Sequence, residues 1–214
     1  MEWCEGSTAS LGWGELESGP AAFPDDHLTV ADGASATGLR ITMEPLAVPW
    51  VGVQPENVTG IYALLDGRDG WGTSAGVFLR FDGPVSGLEV ARGTSQDQSR
   101  IHFIALSAGG AEVVPFESWT LDEDSTLMLR PLRPLEPETR HAVVVTTEVE
   151  GQDGRCVAPS DGLARVLRGE GSVAGEAALV PRWREALAAL KLRADTVSAG
   201  TVFTTGSHYG VSTV

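Results

Sequence analysis

The chain has 214 residues, 42% of them hydrophobic and 21% charged, which is the composition of a folded globular protein long enough to bury a core. Its 29 acidic residues exceed its 15 basic residues and give a net charge of −14, which opposes binding to nucleic-acid phosphates and anionic membrane surfaces. This charge predicts no nucleic-acid partner. There is no run of roughly 18 apolar residues, so the sequence predicts no membrane insertion of this chain.

The N-terminal part divides into a tail and an arm. Residues 1–22 are rich in Gly, Ser and Glu and have no hydrophobic period, which predicts a flexible tail. Residues 23–45 place turn formers around the apolar runs HLTV and LRITM, which predicts an extended arm along a sheet edge. We expect this arm to belong to a single domain that covers residues 23–214.

Regular strand signals follow the arm. Alternating apolar residues at Val77–Phe81, Ile101–Leu106 and Leu127–Arg130 predict half-buried antiparallel strands, separated by turns rich in Asp, Gly and Pro. The run HAVVVTTEV at 141–149 is apolar on both faces and predicts a central strand. Strands and turns at this spacing indicate a β-sandwich.

One helix interrupts the strands. Within residues 176–192 an apolar stripe recurs at steps of three and four, and its members are Val180, Trp183, Leu187 and Leu190. Pro181 is expected in the first turn, where its missing N–H costs least. The run TVFTT at 201–205 predicts a last strand. The predicted fold is therefore mainly β: an antiparallel sandwich with an N-terminal arm and one crossing helix before the last strand.

The one catalytic pattern is Gly72-Thr73-Ser74-Ala75-Gly76, a G-x-S-x-G. In a hydrolase elbow, the serine leaves a strand and enters a helix. Here loop-forming residues precede the motif and the strand at 77–81 follows it, and no Asp and His are tied to Ser74 by a pattern. We interpret the motif as a decoy and predict no catalytic residue.

Metal and cofactor patterns are weaker. Acidic clusters lie at Asp25-Asp26, at Asp66 with Asp69 and at 122–124, but none has EF-hand spacing, and turn chemistry explains them more simply than calcium. The scattered histidines and two distant cysteines form no zinc pattern, and no dinucleotide or phosphate-binding loop is present. The sequence therefore predicts no metal and no cofactor.

Three tryptophans and two cysteines leave alternatives open. Trp50, Trp71 and Trp119 form an aromatic platform for a glycan or protein in one interpretation, and plug the ends of a sandwich core in the simpler one. Cys4 and Cys156 form one disulfide in an oxidising compartment or remain separate thiols. Residues 1–5 have neither a basic nor an apolar stretch, so no export signal is predicted in this sequence.

Residues 111–160, AEVVPFESWTLDEDSTLMLRPLRPLEPETRHAVVVTTEVEGQDGRCVAPS, resemble the bacterial Ig-like module of S-layer and other surface proteins, the SbsA-type or Big_5 class. Over a longer span, the chain is similar to the Ig-like N-terminal region of secreted bacterial lipoproteins, some of which continue into an α/β-hydrolase domain. The runs that carry this similarity are FPDDHLTVAD…TGLRI at 23–41, FLRFDGPVS at 78–86, VVPFE at 113–117 and FTT at 203–205. In that family, the segment before FLRFDGP leads into an early strand, in agreement with the order of elements around Ser74.

The chain departs from the family at His141. Where the pattern L-x-P-x-T-x-Y carries tyrosine, this sequence has Leu135, Pro137, Thr139 and then His141. A tyrosine near the start of such a strand forms a corner hydrogen bond to upstream backbone, and a neutral imidazole can do the same with one ring N–H. We therefore predict a structural corner histidine, not a catalytic or metal-binding one.

The resemblance implies a non-catalytic, extracellular or cell-surface Ig-like module that presents or packs against a neighbouring domain, either of the same polypeptide or of another surface protein. Two alternatives remain. The chain is the N-terminal part of a secreted α/β-hydrolase such as an esterase or lipase, or it is an adhesin module that binds a glycan or a protein. A hydrolase acting through Ser74 itself is the variant that the element order disfavours.

Overall fold

The structure is a computed structural model that describes residues 3, 22–42, 63–88, 100–107, 109–121, 125–151, 154–171 and 175–207. Within these ranges the protein is mainly β, with strands paired in antiparallel sheets and few helices. The strands are β1 (Ala22–Phe23), β2 (Thr29–Ala31), β3 (Leu39–Ile41), β4 (Val77–Arg80), β5 (Val85–Ser86), β6 (Ile101–Ser107), β7 (Gly110–Val113), β8 (Phe116–Leu121), β9 (Thr126–Pro131), β10 (Arg140–Thr146), β11 (Glu150–Gly151) and β12 (Val197–Thr204). The α-helices are α1 (Asp161–Arg168) and α2 (Glu176–Leu190), and short 3₁₀ helices cover Asp26–Leu28 and Ala194–Thr196.

Two four-stranded sheets form the centre of the molecule. Sheet 1 has the order β1-β4-β9-β8 and sheet 2 has the order β12-β10-β6-β7, while β2-β3 and β5-β11 form small two-stranded sheets. One apolar core takes side chains from both large sheets: Val77, Leu79, Phe116, Leu127 and Leu129 from sheet 1, and Phe103, Val143, Val145, Ala199 and Phe203 from sheet 2. The prediction of a mainly β, antiparallel fold is confirmed, and the shared core is that of two stacked sheets.

Strand β10 is buried on both faces because sheet 2 lies between sheet 1 and a layer of helices. Val143 and Val145 point into the core between the sheets, whereas Ala142 and Val144 belong to a second apolar cluster with the helices. That cluster includes Leu163, Val166, Leu179, Trp183 and Leu187. The run at 141–149 is apolar on both faces because β10 is a central strand that is covered on both sides, as predicted. The strand ends at Thr146, however, and not at residue 149.

Helix α2 docks through the predicted stripe. Val180, Trp183 and Leu187 are buried, and Leu190 is half-buried against the same cluster. The expectation for Pro181 is wrong: the helix begins at Glu176, so proline lies in its second turn and has no N–H to donate to the carbonyl of Ala177.

Helix α1 was not predicted from the sequence. The Ser160 side chain caps it by accepting a hydrogen bond from the Leu163 N–H at 3.3 Å, and Gly169, with φ of 81°, ends it in the left-handed conformation. Its apolar face, Leu163, Val166 and Leu167, packs with α2 on the outer face of sheet 2.

The N-terminal segment is more structured than one extended arm. Ala22–Phe23 pairs with β4 as the edge strand of sheet 1, the 3₁₀ turn follows, and β2 and β3 form a hairpin closed by a hydrogen bond from the Asp32 N–H to the Gly38 carbonyl. Most of the predicted tail, together with residues 43–45, lies outside the described residues. Trp3 is described: it packs against the helical layer, with the guanidinium of Arg168 4.9 Å from its ring centroid.

Candidate functional site

Ser74 lies in an exposed turn that leads into β4. The Ala75 N–H donates to the Gly72 carbonyl at 3.1 Å, which closes the turn, and the strand begins at Val77. The serine thus precedes a strand instead of standing between a strand and a helix. This is the order of elements that the sequence indicated, and it lacks the geometry of a nucleophile elbow.

His141 lies at the start of β10 with no exposed surface. Its Nδ1 is 3.0 Å from the carbonyl oxygen of Thr139, and its ring stacks on Phe203 with centroids 5.4 Å apart. Burial lowers the pKa of His141 to about 4, although the hydrogen bond to Thr139 acts in the opposite direction. The ring is therefore neutral near pH 7, and because a carbonyl only accepts, Nδ1 carries the proton. This is the upstream backbone bond expected of a corner residue.

Two buried carboxyl groups with raised pKa values, Asp25 and Asp26, lie where the chain crosses from sheet 1 to β12. Their sequence context predicts that Asp25 and Asp26 are turn formers, but both are only 3% exposed. We call their surroundings the acidic clasp and define it as Asp25, Asp26, Thr201, Thr204 and Arg182.

Asp26 fastens this segment to two other elements. Its Oδ1 accepts from the Thr204 N–H at 2.9 Å, its Oδ2 accepts from the Thr204 hydroxyl at 2.7 Å, and Arg182 Nη1 of α2 lies 2.5 Å from Oδ2. Burial raises the pKa of Asp26, and the positive charge of Arg182 is the largest opposing influence. The carboxylate bonds the outer edge of β12, where a further strand would otherwise pair.

Asp25 has a different set of partners. Its Oδ1 accepts from the His27 N–H at 2.6 Å, which caps the 3₁₀ turn, and its Oδ2 is 2.9 Å from the Thr201 hydroxyl. Burial raises the pKa of Asp25 to about 7, and the hydrogen bond from His27 is the largest influence that lowers it. Asp25 therefore titrates near neutral pH.

A second ion pair, between a half-buried arginine and a buried glutamate, joins the two helices beside the clasp. Arg165 of α1 contacts Glu176 of α2 through two bonds, Nε to Oε2 at 3.2 Å and Nη2 to Oε1 at 2.6 Å, and Glu176 is 3% exposed. Burial lowers the pKa of the neighbouring His27, while the charge of Glu176 acts to raise it. The paired geometry makes this a strong structural contact.

These groups are arranged as internal fastenings. Both oxygens of Asp26 are engaged by protein donors, and Asp25 and Asp26 are each only 3% exposed. Among the described residues, no three His, Cys, Asp or Glu side chains form a group that could hold a metal ion. Of the other acidic positions, Asp69 accepts from the Ser207 N–H, and residues 122–124 lie outside the described ranges.

The three tryptophans do not form one described platform. Trp71 is 2% exposed and packs edge-on against Phe23 with centroids 4.9 Å apart, so it serves as a core plug and is closed to a glycan. Trp119 is half-buried in sheet 1 with the Arg130 guanidinium 5.8 Å from its ring centroid, while Trp50 lies outside the described residues.

Cys156 is disulfide-bonded. The other cysteine of the sequence, Cys4, lies outside the described residues. No helix in the described ranges has the length and apolar character that crossing a bilayer requires.

No protein-family model matches the chain, and no curated protein matches it significantly.

Proposed function

We propose that the chain is a non-catalytic, extracellular Ig-like module of a bacterial cell-surface or secreted protein, where it supports or packs against a neighbouring domain. The observation that carries this proposal is that Asp25 and Asp26, whose pKa values are raised, are buried and bound to internal partners. Structural ion-pair networks also perturb pKa values, and these two carboxyl groups join a turn, a strand and a helix.

The geometry around Ser74 supports the same proposal. An acyl-transfer serine needs a histidine within hydrogen-bond reach and backbone N–H groups for the oxyanion. Ser74 instead belongs to a closed turn before β4, and His141, at the start of β10, directs its Nδ1 proton to the Thr139 carbonyl. Among the described residues, Ser74 makes no hydrogen bond to a histidine in this arrangement.

The contacts at the end of β12 fit a module that supports a neighbouring domain. Trp71 and Gly206 are joined through the Gly206 N–H and the Trp71 carbonyl at 2.9 Å, and Asp69 accepts from the Ser207 N–H at 3.2 Å. On the other side, the Thr205 hydroxyl contacts the carbonyl of Thr139 at 3.0 Å. The chain is therefore held on two sides at residues 205–207, which fits a module that orients a neighbour.

The disulfide at Cys156 supports an extracellular location. Structural disulfides persist in oxidising compartments and are rare in reducing ones. A net charge of −14 favours solubility and disfavours anionic surfaces, which fits a module exposed outside the cell.

An esterase assay tests the proposal. We expect the purified chain to hydrolyse short-chain p-nitrophenyl esters no faster than buffer, because no hydrogen bond joins Ser74 to a histidine among the described residues. The Ser74→Ala variant is the matched control and is expected to behave identically. Hydrolysis by the wild-type chain that disappears in Ser74→Ala would establish a serine hydrolase and overturn the proposal.

A further inference from the structure

The segment Ala22–Leu28 closes one open side of the two stacked sheets. Ala22 and Phe23 pair with β4 in sheet 1, and two residues later Asp25 and Asp26 contact β12, the edge strand of sheet 2. The segment thus links the two sheets at the edge of β12 that pairs with no strand of the described residues, apart from the bridge to Trp71 at its end. Its hold on β12 depends on polar contacts of the acidic clasp.

The single hydroxyl hydrogen of Thr201 indicates the protonation state of Asp25. The Thr201 Oγ1 lies 2.6 Å from the Pro24 carbonyl oxygen and 2.9 Å from Asp25 Oδ2. A hydroxyl has one hydrogen, and a carbonyl oxygen can only accept, so the shorter contact takes the Thr201 hydrogen. The contact with Asp25 then needs a second hydrogen, and a protonated Asp25 supplies it by donating from Oδ2 to Thr201 Oγ1.

We propose that Asp25 is a proton-dependent latch: protonated, it donates to Thr201 and holds the segment Ala22–Leu28 on β12, and when it releases its proton one of the two hydrogen bonds at Thr201 is lost and the segment opens locally more often. In the protonated state, Asp25 donates to Thr201 and Thr201 donates to the Pro24 carbonyl, so both contacts are hydrogen bonds. Without the acid proton, the one Thr201 hydrogen serves only one of the two contacts, and either Asp25 Oδ2 or the Pro24 carbonyl oxygen faces the hydroxyl oxygen with no hydrogen between them.

The charges around the latch reinforce it. The ionisable groups that face the clasp come from three elements: Asp26 and His27 in the same turn, Arg182 and Glu176 on α2, and Arg140 on β10. Arg182 is already paired with Asp26, so an ionised Asp25 would add a second buried negative charge beside one occupied cation. Burial is the largest cause of the rise in the pKa of Asp25 to about 7, and the negative charge of Asp26 acts in the same direction, whereas the hydrogen bond to Thr201 acts to lower the pKa.

The sign of the pH dependence distinguishes Asp25 from its neighbours. The folded pKa of Asp25 is raised above the model value of 3.8, so the closed segment binds more protons than the open one between these values. Its opening constant should rise about tenfold per pH unit from about pH 4 to 7 and level off above that. His27, whose pKa burial lowers, acts in the opposite direction, because its protonation opposes the closed state as pH falls.

Amide hydrogen exchange of residues 22–31 measures this opening, with rates corrected for intrinsic pH dependence. We expect the wild-type segment to open more readily at each higher pH between about 5 and 7. In Asp25→Asn the side-chain amide keeps the cap to His27 and donates to Thr201 without ionising, so we expect the pH slope to vanish and protection to stay high. Asp161→Asn, an exposed aspartate of α1, is the matched control and should keep the wild-type slope.

A direct titration completes the test. The carboxyl carbon resonance of Asp25 in the wild-type protein should titrate near pH 7, far above an ordinary aspartate. A midpoint below about pH 5, or an Asp25→Asn variant that keeps the wild-type pH slope, would overturn the latch. If Asp25→Asn does not fold, the resonance titration of the wild-type chain decides alone.

Discussion

His141 shows at the scale of one residue how a histidine serves as the corner residue at the start of a strand. Its Nδ1–H bonds to the Thr139 carbonyl, and its ring fills the space beside Phe203 and Phe103. Unlike a tyrosine, a free imidazole titrates near pH 6.5, and burial lowers the pKa of His141 to about 4. The corner therefore gains a pH dependence that a phenol would lack.

We expect acidification to destabilise the protein through His141. The folded pKa, about 4, lies below the model value of 6.5, so the unfolded chain takes up the proton first, and stability is lost as pH falls from 6.5 towards 4. At about 1.4 kcal/mol per pKa unit, the loss from this residue is on the order of 3 kcal/mol. His141→Tyr should keep stability near pH 7 and remove part of this acid loss.

Urea midpoints of the wild-type protein and His141→Tyr, measured from pH 7 to 4.5, check this prediction. The difference between the two profiles matters, because protonation of Asp25 stabilises the fold over an overlapping range and partly masks His141 in the wild type alone. Making both measurements in the Asp25→Asn background removes that masking. Parallel profiles, or a tyrosine variant that does not fold, would remove the corner role and reopen a functional one.

At the scale of secondary-structure elements, helix α2 was predictable and α1 was not. The stripe of α2 spans several turns, so its period stands out from the sequence. Helix α1 has eight residues, and its short period is hard to separate from a strand–turn sequence, although Ser160 and Gly169 supply both of its caps. The position of Pro181 was misjudged because the Gly175 start of α2 has no side-chain cap to mark it.

Loss of packing under α2 should destabilise the whole protein. Leu187 is 8% exposed and lies in the cluster between α2 and sheet 2, so Leu187→Ala leaves a cavity and should cost about 2–5 kcal/mol. Thermal denaturation should show a clear fall in the melting temperature. Arg184→Ala, on the exposed side of the same helix, is the control, and equal shifts for the two variants would mean that the stripe does not carry the docking.

At the scale of the whole molecule, three layers are joined by polar contacts between residues far apart in the chain. Asp26 lies 156 positions from Arg182 and 178 from Thr204, so no local pattern in FPDDH could name its partners. Strands and the helix stripe were predictable because their signals are local, and the same holds for the Ser74 turn and the His141 corner. The clasp depends on how sheet 1, sheet 2 and α2 come together, which periodicity does not specify.

The central claim is that the buried acidic residues hold these layers together. A double-mutant cycle with Asp26→Asn and Arg182→Met, followed by urea unfolding at pH 7, tests it most directly. Removing one partner of a buried pair leaves the other uncompensated and typically costs about 3–5 kcal/mol. The exposed Arg193–Asp195 pair is the matched control, where about 0–1 kcal/mol is expected. The account predicts that each single change in the clasp destabilises strongly and that the double variant loses less than the sum. Small and additive effects, no larger than those of the exposed pair, would contradict it.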